Sequence, residues 1–258
     1  MANVSIIGCG NLGGALIRGL AASGNHAVTA YDVDEDALAA VASYCERTTT
    51  DLDVAAESDV VVIAVKPDVV GVVLDELDLS AEQTLVTVAA GVPLAFVEAR
   101  TDATVVRIMP NLAAETRDMA AAVTWAEADD DVAELLSDLG EFVEIEEEYM
   151  DVATALNGSG PAFVFYFLQA MARGAEAEGL EAADAEVLAA QTVKGAAETV
   201  LRSDRSVDEL IDAVCSPNGT TIEGMEVLWD SDLEAVVGEA LAAAAERSRE
   251  LAREVDHE

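Results

Sequence analysis

The sequence predicts an α/β fold, with an N-terminal Rossmann-type doubly wound sheet followed by an all-helical second half. Three observations predict it. Short apolar runs alternate with helix-spaced segments as far as about residue 145. A GxGxxG string, Gly8-Cys9-Gly10-Asn11-Leu12-Gly13, stands directly after the first of those runs and opens the first helical pattern. Beyond Asp151 no convincing strand pattern recurs, and nearly everything carries helical spacing.

Taken in order, Asn3 to Gly8 is a compact apolar strand ending in glycine, and residues 11–23 have helical apolar spacing. Val28 to Asp32 is the next strand, Asp34 to Tyr44 an alanine-rich helix, and 51–57 a short helix. Asp59 to Val65 is apolar almost throughout, as expected of a strand covered on both faces. Pro67 opens another helix in its first turn. Thr84 to Ala89 and Thr104 to Met109 are further strands with a short Pro93-led helix between them. Strands at 120–126 and 142–145 flank an acidic helix at about 129–138. This alternation predicts a mostly parallel sheet. The later helices are expected at 161–178, 182–202, 207–214, 220–228 and 232–255, with the boundary near 148–152. The expected domains are therefore residues 1–150 and 151–258. The helices of the second are too few to bury their apolar stripes alone, which predicts packing against a partner subunit.

The chain has 258 residues, 52% of them hydrophobic, enough to bury a core. No apolar run approaches the roughly 18 to 20 residues that cross a bilayer, and no secretory signal is visible, so no membrane role is expected. Cys9, Cys45 and Cys215 make neither a disulfide framework nor a zinc set, and a cytoplasmic address is the simplest expectation. The charge is unusual: 51 acidic against 13 basic residues give a formal net charge of -38. The acids are spread along the whole chain, between well-formed apolar segments. This is read as the halophile-like surface of a protein that works in concentrated salt, where self-repulsion is screened. It argues against nucleic acid as a partner, whose phosphates such a surface repels.

The glycine string assigns a nicotinamide dinucleotide. Gly8 allows a tight turn, Gly10 close approach of a pyrophosphate, and Gly13 close helix–strand packing, while the helix N-terminus offers free N–H groups. Asp32, at the end of the second strand, suits the adenosine ribose hydroxyls and repels a 2′-phosphate. With Asp34, Glu35 and Asp36 following and no arginine, it favours NADH over NADPH. The competing role for Asp34 or Asp36 is to cap the next helix. Ala64-Val65-Lys66-Pro67 closes a buried strand at the sheet edge where ligands bind. Lys66, one of only two lysines, stands there either near the cofactor or in a surface role. Asn111 is placed either to face the nicotinamide or substrate, or to make a turn.

No catalytic triad or metal cage can be assembled, and no metal is expected. His26 lies in a turn and His257 in the tail, and neither is assigned a role in catalysis. Chance Asp/Glu pairs are inevitable at this composition, so they carry no metal or glycosidase reading. Two polar breaks interrupt the second half. Asn157-Gly158-Ser159-Gly160-Pro161 permits close backbone approach. Ser216-Pro217-Asn218-Gly219-Thr220-Thr221 precedes a helix whose N–H groups and Thr hydroxyls suit a substrate carboxylate, or serve as ordinary capping.

The order GCGNLGGALIRGL, AVKP, AAGV, VRIMPN, TALNGSGPAF, QTVKGAA and SPNGTTIEG resembles the pyrroline-5-carboxylate reductase family over essentially residues 3–250. The resemblance implies reduction of 1-pyrroline-5-carboxylate to L-proline with NADPH or NADH, the last step of proline synthesis. It implies a Rossmann domain followed by a helical domain that interlocks with its partner's in a homodimer, with further assembly into rings in many members. Gly8, Gly10, Asn11, Leu12 and Gly13 would line the phosphates, Ala64, Lys66 and Pro67 would lie beside the cofactor, and Asn111 near the nicotinamide. The backbone of Asn218, Gly219 and Thr220 would hold the substrate carboxylate, and the Thr221 hydroxyl would reach the ring nitrogen. The implied mechanism is hydride transfer to an iminium, with no covalent intermediate.

Two departures stand out. Asn218 replaces a common Gly, and Leu112-Ala113-Ala114-Glu115 follows MPN where Thr-Pro is usual, which is expected to alter the loop over the cofactor or the rate. The rival readings are a 3-hydroxyacid dehydrogenase and a noncatalytic dinucleotide sensor or scaffold. The first calls for a catalytic lysine or histidine early in the helical half, yet no basic residue occurs between Arg117 and Arg173. The second needs no polar SPNGTT seat.

Overall fold

A computed structural model of the chain describes residues 3–255, with side chains through residue 254. His257 lies outside the described residues. Eight strands form one sheet: β1 (Asn3–Ile7), β2 (Ala27–Tyr31), β3 (Arg47–Thr49), β4 (Val60–Ile63), β5 (Thr84–Thr87), β6 (Thr104–Met109), β7 (Met119–Trp125) and β8 (Gly140–Glu144). Their order is β3-β2-β1-β4-β5-β6-β7-β8. The first six are parallel, β7 runs antiparallel to β6, and β8 runs parallel to β7.

The helices among these strands are α1 (Asn11–Ser23), α2 (Glu35–Val41), α3 (Leu52–Ala55), α4 (Pro67–Glu76), α5 (Leu94–Glu98) and α6 (Asp130–Leu139). They are followed by α7 (Met150–Ala153), α8 (Gly160–Ala177), α9 (Ala182–Arg202), α10 (Val207–Val214), α11 (Thr220–Trp229) and α12 (Leu233–Val255). Backbone contacts gather the described parts of Met1–Ser159 and Leu241–Glu258 into one compact unit and Gly160–Ala240 into a second.

The expected alternation is present, with three local differences. The edge strand β3 was not anticipated, because Arg47, Thr48 and Thr49 carry no apolar alternation and the strand is only three residues long. The reversal of β7 follows from its connection: Asn111 to Asp118 carry a short 3₁₀ turn in place of a crossover helix, so the chain returns beside β6. Finally, the break expected over Asn157–Pro161 is confined to Ser159, with a π turn over Thr154–Gly158 before it and α8 starting at Gly160.

Period-2 alternation divides the sheet's side chains between two cores. Val4, Ile6, Val62, Val106 and Ile108 pack on one face with Leu16 and Leu20 of α1 and Leu135, Leu136 and Leu139 of α6. Val61, Ile63, Leu85 and Val105 pack on the other with Val70, Val73 and Leu74 of α4 and Val97 of α5. Each such side chain, fully buried, stabilises the fold by about 1.5–3 kcal/mol relative to exposure. α4 starts with Pro67 in its first turn, and α1 ends at Gly24, which takes the left-handed conformation a helix stop favours.

In the second unit α8 and α9 meet through Ala172, Ala185 and Ala189, where small side chains let the helix axes approach closely. α10 begins with a reciprocal capping box between Ser206 and Glu209. Little else of this unit's apolar surface is covered: Phe165, Tyr166, Trp229 and Val236 are all more than half exposed.

Candidate active site

In the first unit the carboxyl ends of β1, β2 and β4 converge on the glycine turn. The Gly8 N–H donates to the Tyr31 carbonyl at 2.8 Å, and the Ala64 N–H donates to the Ile7 carbonyl at 2.8 Å. Gly8 has φ +100, and a Cβ there would lie 2.9 Å from the Ala64 carbonyl group. A Cβ on Gly13 would lie 1.8 Å from the Gly8 carbonyl oxygen, so the helix can turn this tightly out of the strand only without a side chain. Gly10 differs, since a Cβ there meets nothing within 4 Å. Gly10 is also the N-cap of α1 and supplies no side-chain cap for the helix's first N–H groups. Asn11 is exposed and Leu12 half-buried beside them. Uncapped donors above a bare backbone fit a pyrophosphate.

Asp32 is built into this turn. One carboxylate oxygen accepts from the Cys9 N–H at 2.7 Å and the other from the Asp34 N–H at 3.0 Å. Asp34 caps α2 by accepting from the Asp36 N–H at 2.9 Å. Thus the rival capping role belongs to Asp34, while Asp32 braces the glycine turn and retains acceptor capacity on both oxygens. Burial, and next the Asp32 charge, push the Cys9 thiol up to about 12, so it remains protonated near neutral pH. Burial likewise raises the Cys45 thiol to about 11.

Ala64 stands against the glycine turn, Pro67 is the first residue of α4, and Lys66 is exposed at its N-cap. At the end of β6, both polar ends of the Asn111 side chain are engaged within the protein. Its Oδ1 accepts from the Ala113 N–H at 3.2 Å, capping the 3₁₀ turn, and its Nδ2 donates to the Asn157 carbonyl at 3.2 Å. The turn role left open for Asn111 is therefore the one its side chain plays here. The unusual segment after it packs on α1: Ala114 is fully buried, and its carbonyl lies against Gly19, whereas Leu112 is exposed. Glu115 pairs with Arg18 of α1 at 3.1 Å.

Three polar arrangements were not legible in the sequence. The Asn157 amide donates to the Met109 carbonyl at 2.6 Å and the Ala120 carbonyl at 3.0 Å, tying the facing ends of β6 and β7. The buried Arg107 pairs with Glu147, whose carboxylate also accepts the Leu94 N–H at 3.1 Å. His26 is more than a turn residue, because its ring is buried and its Nε2 lies 2.9 Å from Asp138. The only sequence signal for these was a polar side chain inside an apolar run or beside a glycine, which names no partner.

In the second unit, Asn218 takes φ +57 and Gly219 follows as the N-cap of α11, again with no side-chain cap. Asn218 and Thr220 are exposed and Thr221 half-buried. Thr221 lines an apolar groove of about 490 Å³ with Cys215, Leu210 and Met225. Asn218 thus adopts the left-handed turn that a glycine would take.

Among the described residues no group of three or more His, Cys, Asp or Glu is placed to hold a metal ion, and no helix is long and apolar enough to cross a membrane.

Residues 147–251 match a family model described as pyrroline-5-carboxylate reductase dimerisation, and residues 3–91 match one described as NADP oxidoreductase, coenzyme F420-dependent. The chain is 39% identical to a pyrroline-5-carboxylate reductase of Methanosarcina acetivorans, covering 97% of this chain and 98% of that one. It is 37% identical to the Pseudomonas aeruginosa enzyme of the same name, over 98% and 97% of the two chains. Among solved structures, the Coxiella burnetii pyrroline-5-carboxylate reductase superposes with a TM-score of 0.88 at 32% identity, covering 97% of this chain and 98% of that one. The Plasmodium falciparum enzyme, solved with NADP bound, superposes with a TM-score of 0.85 at 26% identity over the same shares. With its glycine turn, its helical second half and this likeness along nearly its whole length, the chain belongs to the pyrroline-5-carboxylate reductase family.

Proposed function

We propose that the chain reduces 1-pyrroline-5-carboxylate to L-proline with a reduced nicotinamide dinucleotide, as the final step of proline synthesis. The single observation that carries this reading is identity of 39% to a reductase of that name over 97% of the chain. When bound, the cofactor supplies the hydride that adds to the imine carbon. The protein's own contribution is placement. Gly8, Gly10, Asn11, Leu12 and Gly13 hold the pyrophosphate on the uncapped N-terminus of α1. Asp32 takes the adenosine ribose, with Ala64, Lys66 and Pro67 alongside and Asn111 toward the nicotinamide.

The backbone N–H groups of Asn218, Gly219 and Thr220 hold the substrate carboxylate, and the Thr221 hydroxyl bonds to the ring nitrogen. That nitrogen is already protonated in the iminium form, so hydride addition yields the secondary amine directly and no strong protein acid is required. Cys9 is not a thiolate nucleophile or base in this reading, because burial and the Asp32 charge raise its thiol. The functional division follows residues 1–150 for the dinucleotide and 151–258 for dimerisation and substrate. The exposed apolar side chains of the second unit support a homodimer, and dimers assembling into rings remain part of this reading.

The acidic cluster Asp32, Asp34, Glu35 and Asp36 supports NADH as the preferred cofactor, since a 2′-phosphate would meet four carboxylates. The charge of -38 supports a protein adapted to concentrated salt, in a cytoplasmic setting. The test follows nicotinamide absorbance and proline formation with 1-pyrroline-5-carboxylate, in concentrated salt, at equal low NADH and NADPH. Proline made faster with NADH is expected. Faster turnover with NADPH would overturn the cofactor preference alone. No proline from folded, cofactor-binding protein would overturn the substrate.

A further inference from the structure

We propose that Asn157 is a positioning residue for the reduction, holding the Met109–Asn111 corner at the carboxyl end of β6 in the shape the nicotinamide half of the cofactor requires. The proposal rests on the reading of the first unit as a dinucleotide site, and not on the identity of the substrate.

The Asn157 Nδ2 donates to two carbonyls on neighbouring antiparallel strands, Met109 at 2.6 Å and Ala120 at 3.0 Å. Its backbone carbonyl accepts from Asn111 at 3.2 Å. One residue therefore holds the last carbonyl of β6, the start of β7 and the first side chain of the following turn. Both carbonyls lie at the strand ends where the ladder gives way to the turn, so no neighbouring strand is guaranteed to satisfy them.

The arrangement is locally costly. The segment is a π turn, in which the helix is widened by one residue and Asn157 is carried to the sheet edge. The Asn157 Oδ1 is buried and has no hydrogen-bond partner. Local costs of this kind persist where the surrounding structure fixes a functional geometry.

Position explains the benefit. In an open α/β sheet the dinucleotide lies across the carboxyl ends of the strands, with its pyrophosphate at the turn after β1. The sheet order carries the chain outward from β1 through β4 and β5 to β6, so the β6 corner falls on the nicotinamide side. Asn111 cannot hold that corner unaided, since its Oδ1 is used to cap the 3₁₀ turn and its Nδ2 leans on the Asn157 carbonyl.

The test compares NADH with ADP-ribose, which keeps the adenosine and pyrophosphate but lacks the nicotinamide. In Asn157→Ala, NADH affinity is expected to fall about tenfold while ADP-ribose affinity stays within about twofold, the size of loss that follows from one or two missing hydrogen bonds. With substrate present, kcat is expected to fall and the deuterium isotope effect on hydride transfer to grow, while the KM for 1-pyrroline-5-carboxylate is unchanged. Should the alanine variant fail to fold, Asn157→Ser keeps one donor and carries the same comparison, with an expected NADH loss of about threefold. An unchanged ratio of NADH to ADP-ribose affinity would overturn the proposal. Equal loss of both ligands would overturn it too, marking Asn157 as a general support of the fold. If the unaltered protein makes no proline yet distinguishes the two ligands, the substrate assignment fails and the affinity comparison still decides the role of Asn157.

Discussion

The two units of this chain treat their apolar side chains in opposite ways. In the first, Ile63 at the centre of the sheet is 0% exposed, and both sheet faces are covered by helices of the same chain. In the second, Phe165 is 68% and Tyr166 74% exposed, on a helix that packs on α9 only through Ala172 with Leu168, Met171 and Ala175 beside it. Exposed aromatic side chains in such number mark an interaction surface. The first unit is complete as a folded body, whereas the second is shaped as half of one, consistent with the dimerisation model it matches.

The largest expected effect breaks that comparison directly. Ile63→Ala, deep in the first core, should cost about 2–5 kcal/mol in denaturant unfolding whatever the protein concentration. Phe165→Asp should instead leave the unfolding of the monomer within about 0.5 kcal/mol, as surface changes do. In the same variant the dimer–monomer midpoint, measured by sedimentation across a dilution series, should move by about thirtyfold or more. Equal, concentration-independent losses in the two variants would remove the distinction between a finished core and a shared one.

The same division governs how much the sequence disclosed. Nearly every parallel strand was legible because burial on both faces demands continuous apolar runs, such as Val60 to Ile63. The glycine turn was legible because Gly8 and Gly13 face backbone atoms that no side chain tolerates. β3 escaped because its edge position and short polar sequence impose no pattern. The π turn escaped because Gly158, Ser159, Gly160 and Pro161 read as breakers, although only Ser159 interrupts the helical segments. Partners across the sequence were the least legible of all. Nothing in the local sequence near His26 names Asp138, which lies on another element and is reached only through the fold.

The His26–Asp138 pair belongs to the first unit alone and ties its stability to pH. Burial alone would raise the Asp138 carboxyl, but hydrogen bonds from Asn25 and His26, and the charges of His26 and Arg117, outweigh it and hold the group below its ordinary value. A carboxyl depressed on folding contributes stability that is present above the ordinary carboxylate range and is lost as pH falls through its lower folded value. Asp138→Asn should therefore flatten the acid limb of the first unit's stability in that window. It should cost about 1–3 kcal/mol at neutral pH, because Asn25, His26 and Arg117 lose the charged acceptor they share. An unchanged pH profile, followed by Trp125 fluorescence during acid titration, would mean that the cluster does not couple to unfolding.

The smallest effect is expected at Asn218, where the second unit departs from the usual glycine. Its φ of +57 lies in the left-handed region, which asparagine tolerates better than any residue with a bulkier or branched side chain. Glycine would relieve the residual strain but would also give the unfolded chain more freedom, and the two contributions oppose each other. Asn218→Gly should accordingly change the unfolding free energy by no more than about 0.5 kcal/mol, while Asn218→Ala, which has strain and no local polar compensation, should cost about 1 kcal/mol. The catalytic consequence should run in parallel. If the turn serves only to present backbone N–H groups to a carboxylate, glycine should leave the KM for 1-pyrroline-5-carboxylate unchanged, and alanine should raise it. A large KM change on placing glycine at 218 would mean that the asparagine side chain itself enters the seat, and that this enzyme recognises its substrate with a group the usual glycine cannot supply.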